Sequence, residues 1–391
     1  MNVLVINAGS STLKYQLMDT ETHHVSAKGS CERVGFTGGT FTHKGADGKK
    51  ATKDVEFPDH KTAIELVLKT LEAEGAKIDG LGHRIVQGGW YFGDSVLVDA
   101  GTLAKIREVA PLAPLHNNPE ADVIDYCLAE YPTLPNVAVF DTAFHFDMPK
   151  VAQTYSLPKD VCDKLHIRKY GAHGTSFRYI SKKIAELTDG AARRVVVCHI
   201  GSGSSLCAIQ DGKCMDTTMG LTPLDGVMMG TRCGSIDPAT VCYLQREGGY
   251  TYDEVDEMMN KKSGLLAVSG KTNDCRNIEE LTAAGDADAK LAFDMFVYKI
   301  AGKVAELATA MSGVDTIVFT AGIGEHAPAV RAGVCDRLEW MGVKMDHAMN
   351  ALRAEGTWKL SREDSPVAVW VVPTDEEYMI ASDVERLVEG R

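Results

Sequence analysis

Two segments of the chain are written to one plan, and that duplication limits the available folds more than any other feature. Val3–Leu17 runs apolar to Asn7, crosses Gly9-Ser10-Ser11 and returns as an alternating run containing Lys14. Val195–Ile209 repeats it, with Asn7, Gly9 and Ser10 falling on His199, Gly201 and Ser202 without a gap. Each segment reads as a strand, a tight turn and a returning strand. Gly9 lets backbone approach a ligand closely, and the donors of Ser10, Ser11, Thr12 and Lys14 suit a phosphate. A single copy reads equally well as an ordinary hairpin with a polar tip. Two copies predict two similar domains facing one another, each offering a turn to a shared cleft. A third glycine turn, Ala321–Glu325, is expected after the apolar run Ile317–Phe319.

A chain of 391 residues has room for two or three domains. Strands are expected at 2–7, 13–18, 80–86, 136–140, 194–200, 204–210, 314–320 and 366–372. Helices are expected at 61–74, 119–130, 175–188, 238–247, 253–260 and 286–312, with Asn118-Pro119 and Asp237-Pro238 as cap-plus-proline starts. Residues 36–54 read as a surface hairpin or loop. Strands lead and helices follow in each half, so the class is α/β with mixed sheets. A last helix from about Glu376 is expected to return to the first domain.

The formal net charge of −13 argues against nucleic acid as the main partner. A polyanion such as ATP would have to be attracted locally, by amides, a few Arg and Lys, and a metal ion. No segment approaches the ~20 apolar residues of a membrane helix, and a strand starting near Val3 leaves no room for a leader. The ten cysteines never form C-x-x-C. Cys198, Cys207 and Cys214 therefore read as buried strand thiols rather than zinc ligands, and a reducing cytoplasm is the expected location.

Two motifs mimic nucleotide sites and fail. Gly264–Thr272 has five residues between its glycines where a P-loop has four. Gly322–Ala327 fits G-x-G-x-x-A, but Pro328 and the short remaining chain argue against a dinucleotide-binding domain. Other positions are better placed. Gly82–Gly89 ends a strand in a double-glycine bend, where Arg84 can grip a carboxylate or phosphate or serve in a structural ion pair. Arg232 lies in the small-residue loop Gly230–Gly234. His173 sits between glycines ahead of a helix, a position suited to an anion. Asp141 follows an apolar strand, a common metal or catalytic position that a simple cap also occupies. Asp375-Glu376-Glu377 opens the last helix, where acids complement the dipole in any case.

Taken in order, Asn7–Lys14, Gly82–Gly89, Pro114–Asn117, Val139–His145, Tyr170–Ser176, His199–Ser204, Met219–Leu224, Gly230–Pro238, Ala321–Glu325 and Pro373–Glu377 resemble the acetate kinase (acetokinase) family, within the acetate and sugar kinase, heat-shock chaperone and actin superfamily. The resemblance implies two ribonuclease H-like domains around a central cleft: residues 1–146 plus about 377–391, and a nucleotide-binding domain at 147–376. It implies a homodimer and reversible transfer of the ATP γ-phosphoryl to acetate, giving acetyl phosphate and ADP, with Mg²⁺ (Mn²⁺ as a substitute). The implied catalytic residues are Arg84, Asp141, His173 and Arg232. The acceptor side comprises Arg84, Val86, Leu115, His116, Ala172 and Pro223. Lys14, His199, Ile200, Gly201, Ser202, Gly203, Asp274, Cys275, Arg276, Gly322, Ile323, Gly324, Glu325 and His326 would receive ATP, and Asn7 and Glu376 would lie at the metal. The chain departs from the family pattern at Ser202 and His326, where asparagine is usual, at Cys233 and Ser235, and at Ala172, where some members carry phenylalanine. These departures bear on nucleotide preference and acyl-chain length. A propionate or other short-chain acyl kinase shares all of this chemistry. A nucleotide-gated switch of the actin or chaperone type would use the two turns without an acyl acceptor, and an NAD oxidoreductase would need the Gly322 fingerprint.

Overall fold

The computed structural model describes residues 1–352 and 355–390. They form two compact units. The first holds residues 1–146, 174–176 and the C-terminal segment from Asp375; the second holds 147–173 and 177–374.

In the first unit, β1 (Asn2–Ala8), β2 (Thr12–Asp19), β3 (Val25–Glu32), β4 (Thr40–Lys44), β5 (Lys50–Asp54), β6 (Gly80–Ile85), β7 (Val96–Leu97) and β8 (Asn136–Phe140) form one sheet in the order β5-β4-β3-β2-β1-β6-β8-β7. In the second, β9 (Arg194–Ile200), β10 (Ser204–Gln210), β11 (Lys213–Thr217), β12 (Thr316–Thr320), β13 (Trp358–Lys359) and β14 (Ala368–Val371) form the order β11-β10-β9-β12-β14-β13. The cores β3-β2-β1-β6-β8 and β11-β10-β9-β12-β14 share one topology. An antiparallel pair leads into a central strand, which pairs in parallel with the next strand, and that one with the next. This is the ribonuclease H-like arrangement, present twice. The two similar sequence segments are its equivalent hairpins, β1–β2 and β9–β10.

Val3, Leu4, Val5 and Ile6 are all buried because β1 is covered on both faces. Leu4 and Ile6 pack in one cluster with Ile64 and Val67 of helix His60–Ala73 and Val123 of helix Pro114–Glu130. Val3 and Val5 pack with Ile380 and Val384 of the C-terminal helix Glu376–Glu389. A side chain at Gly82 would collide with Ile380, so glycine there is what allows this helix to approach the sheet so closely. In the second unit, helix Ala287–Thr309 buries Phe296, Ile300 and Val304 in one cluster with Val196, Leu206 and Phe319.

Three local expectations need correction or completion. Pro119 does not start a helix. The helix begins at Pro114, whose missing N–H is harmless at the first position, and Pro119 lies inside it. Ala321–His326 is a short helix rather than a glycine turn. Residues 36–54 contain β4 and β5, a hairpin at the sheet edge. As expected, Gly264–Ser269 is no P-loop but a helical turn closed by Gly270 at φ +65. Cys198, Cys207 and Cys214 are buried on strands, with Cys207 Sγ 3.6 Å from Cys214 Sγ.

Lys28, Lys44 and Lys50 stand in direct register across β3, β4 and β5. Like charges directly opposite one another destabilise a sheet. Lys44→Glu places an acid between two lysines and is expected to stabilise the chain by ~0.2–1 kcal/mol. An unchanged or lower urea midpoint would show that the three ammonium groups do not repel appreciably.

Candidate active site

In the first unit, parallel pairing of β1, β6 and β8 brings three strand ends side by side. Each delivers one polar group: Asn7, Arg84 and Asp141. The Arg84 guanidinium grips the Asp141 carboxylate, Nη2 to Oδ2 at 2.6 Å and Nε to Oδ1 at 3.3 Å, and Nη1 donates to Asn7 Oδ1 at 3.2 Å. Asp141 is 1% exposed. Its Oδ1 also accepts from Thr175 Oγ1 at 3.3 Å, and its carbonyl accepts from Gly174 N at 2.8 Å. A side chain at position 174 would strike that carbonyl, so the glycine is required there.

Arg84 is also surrounded by the charges of Glu376 and Glu120. Burial disfavours its cation, but its acidic neighbours, Asp141 foremost, outweigh burial and hold it charged. Burial pushes the Glu376 carboxyl upward against the pull of Arg84, and Glu376 Oε1 is buried without a hydrogen-bond partner among the described residues. Asp375, its neighbour, is the ordinary cap of the helix, accepting from Tyr378 N at 2.9 Å. Lys14 stands opposite Asn7 in the β1–β2 register. Of the expected acceptor-side residues in this unit, Val86 is buried, His116 half-buried and Leu115 59% exposed. Sequence reading missed Glu120, 2% exposed, whose carboxylate accepts from Val86 N at 3.1 and 3.3 Å. Burial pushes its carboxyl up to about 8 despite Arg84. Nothing in its local sequence distinguishes it from a surface glutamate early in a helix.

In the second unit, His173 caps helix Gly174–Leu187 from a left-handed backbone (φ 56), a conformation disfavoured for a residue with a Cβ. Its Nδ1 bonds Ser205 Oγ at 2.8 Å, and its ring stacks on His199 with centroids 4.2 Å apart. Arg232 Nη1 donates to Pro223 O at 3.2 Å and touches Met229 Sδ at 3.6 Å. Among the described residues it has no carboxylate partner, and burial lowers its pKa. Gly203 brings these groups together: a Cβ there would lie 3.5 Å from Arg232 Nη1 and 3.7 Å from the His173 ring. Ala172 is buried with Met219 and Met229.

The same unit holds a cleft of about 710 Å³ lined by Gly201, Ser202, Asp274, Cys275, Arg276, Gly322, Ile323 and His326, together with Gly230, Thr231, Asn273, Glu279, Glu280 and Ala327. Eight of the residues expected to receive ATP thus meet in one cavity. Ile200 and Gly324 are buried and do not line it. Asp274 caps helix Cys275–Ala283 and pairs with Arg276 at 2.6 Å, which holds its carboxyl below the usual range. Arg331, also unforeseen, is fully buried and donates to the carbonyls of Gly324 (2.9 Å) and Glu325 (2.7 Å), tying down the helix that carries Gly322 and His326.

Residues 2–382 match the acetokinase family. The chain belongs to that family. Acetate kinase 2 of Clostridium perfringens is 46% identical over 99% of this chain and all of its own. The crystal structure of Porphyromonas gingivalis acetate kinase superposes with a TM-score of 0.93 at 39% identity over 99% of both chains. A propionate kinase from Francisella tularensis subsp. tularensis matches with the same TM-score, identity and coverage.

In this acetokinase the unusual residues now have places. Ser202 is exposed on the cleft. The His326 side chain is exposed, 4.0 Å from the Glu325 carboxylate. Ser235 is structural: Oγ donates to Asp225 Oδ1 at 2.7 Å. The buried acids imply a pH dependence. The folded chain keeps the Glu120 proton up to about pH 8, whereas an unperturbed glutamate loses it near 4.5. Between those values the folded state binds more protons, so this group makes stability fall as pH rises. Glu120→Gln is expected to flatten the decline between pH 5 and pH 8 by at least ~1 kcal/mol in urea titrations. An unchanged slope would mean that Glu120 ionises normally.

Proposed function

We propose that the chain catalyses reversible transfer of the γ-phosphoryl of ATP to acetate, giving acetyl phosphate and ADP. The observation that carries this reading is Arg232, a largely buried guanidinium without a carboxylate partner among the described residues, beside His173. A desolvated cation in that condition favours an incoming anion. The glycine-lined cleft of the same unit suits the nucleotide, and the family relatives named above carry the matching activity in their names.

Acetate is ionised at neutral pH, so its attacking oxygen needs no general base. Asp141 is poorly suited to be one, since Arg84 and Thr175 occupy its carboxylate. Charge is the larger obstacle, because a carboxylate must approach a triphosphate. Arg84 would orient the acceptor, while Arg232 and His173 would stabilise charge spreading over the transferring phosphoryl. The Ser205 bond to Nδ1 aims the other ring nitrogen of His173.

The oxygens of Asn7, Asp141 and Glu376 fit magnesium, a hard cation that favours carboxylate and amide oxygens. The orphaned buried Glu376 Oε1 supports this assignment. Bound there, magnesium would neutralise phosphate charge. Propionate is a second acceptor on this reading. Ala172 is small, and one methylene separates such substrates by only ~1–3 kcal/mol in an apolar pocket.

Trapping acyl phosphate as the hydroxamate tests the proposal. Acetate-dependent product is expected, and Arg232→Ala should lower kcat by about 10²–10³-fold. Acetate-independent ATP hydrolysis alone would favour a nucleotide-gated switch. An effect confined to the KM for acetate would remove Arg232 from the transition state.

A further inference from the structure

The four residues after β6 are held in an unusual way. Val86 N donates to Glu120, Gln87 N to Asn117 Oδ1 (3.1 Å), Gly88 N to Thr142 Oγ1 (2.9 Å) and Gly89 N to Gln87 Oε1 (2.8 Å). Each of four consecutive buried amides thus ends on a side-chain oxygen rather than on a neighbouring strand. Asn117 also returns a bond from Nδ2 to Gln87 O at 2.8 Å. Three of the four acceptors are amide or hydroxyl oxygens that never ionise. An amide would also satisfy Val86 N, yet the residue present is a buried glutamate, an acid whose ionisation burial opposes. Glu120 is one of three acids whose charge acts on Arg84, two residues before Val86. It therefore joins, in one side chain, the position of Val86 to the electrostatics of the arginine.

We propose that Glu120 is a positioning residue for the acyl acceptor: by pinning the Val86 amide it fixes the wall of the acyl pocket and limits acceptor chain length. This rests on the reading of Val86 and Arg84 as acceptor-side residues. Asn117 sets the adjacent peptide, so the clamp is a feature of the first two turns of helix Pro114–Glu130. Loosening it would move the wall without touching the nucleotide cleft of the second unit.

Two variants and two readouts test the inference. Glu120→Leu keeps the size of the side chain but removes the acceptor, whereas Glu120→Gln keeps an acceptor oxygen without a titrating carboxyl. Hydrogen exchange should speed up across residues 84–89 in Glu120→Leu and stay near wild type in Glu120→Gln. For Glu120→Leu we expect kcat/KM for acetate to fall about tenfold and the acetate-to-propionate ratio to shrink at least threefold, with the KM for ATP within twofold. Glu120→Gln should restore the ratio. Unchanged exchange in Glu120→Leu overturns the clamp. Faster exchange with an unchanged ratio, or an equal loss of ATP affinity, overturns the role in acceptor selection. If wild type makes no acyl phosphate, the kinase reading and the acceptor role built on it both fall, and the exchange result decides the clamp alone.

Discussion

The first unit depends on one buried ion pair. Arg84 lies opposite Val139 on the adjacent parallel strand, two residues before Asp141, and their contact, with Asn7 alongside, ties three strand ends together. Taking two charges out of water is expensive, and a pair of this kind repays the expense only with good geometry and further hydrogen bonds. Both conditions hold: the guanidinium meets the carboxylate through two nitrogens, and Thr175 takes up another lone pair. Breaking such a pair on one side strands a buried charge, typically at ~3–5 kcal/mol.

The two units are unbalanced in opposite senses. Around Arg84 three acids crowd one cation, with Glu120 and Glu376 pushed toward protonation and one glutamate oxygen without a partner among the described residues. That surplus suits a divalent cation. Arg232 in the second unit has no acid to answer it among the described residues, which suits an anion. Each imbalance makes little sense as a stabilising device, and each fits the phosphoryl transfer to a carboxylate proposed above.

Much of this was legible because it lies in contiguous sequence. The doubled hairpin announced the doubled topology, and the fully apolar runs of β1 and β9 marked central strands. Asp141 stood out because it ends such a run, and Arg84 because it precedes a double-glycine bend. β3 escaped notice because Val25–Glu32 is largely polar, one of its faces being open. Ala321–His326 looked like a turn because its glycines hide a helix whose end is held from outside by Arg331. Pro119 looked like a helix start because proline favours that position, yet Pro114 had taken it. Glu120 and Arg331 are invisible locally, since a buried charge is recognised only by what folds around it.

A double-mutant cycle on Arg84 and Asp141 tests the central claim most directly. Unfolding by urea would be compared for wild type, Arg84→Leu, Asp141→Leu and the double variant. If the pair organises the strand ends, each single change destabilises strongly while the double change costs clearly less than their sum, leaving a coupling of ~1–3 kcal/mol. Additivity within ~0.5 kcal/mol would mean that the two side chains contribute independently, and that the strand ends are held by something else.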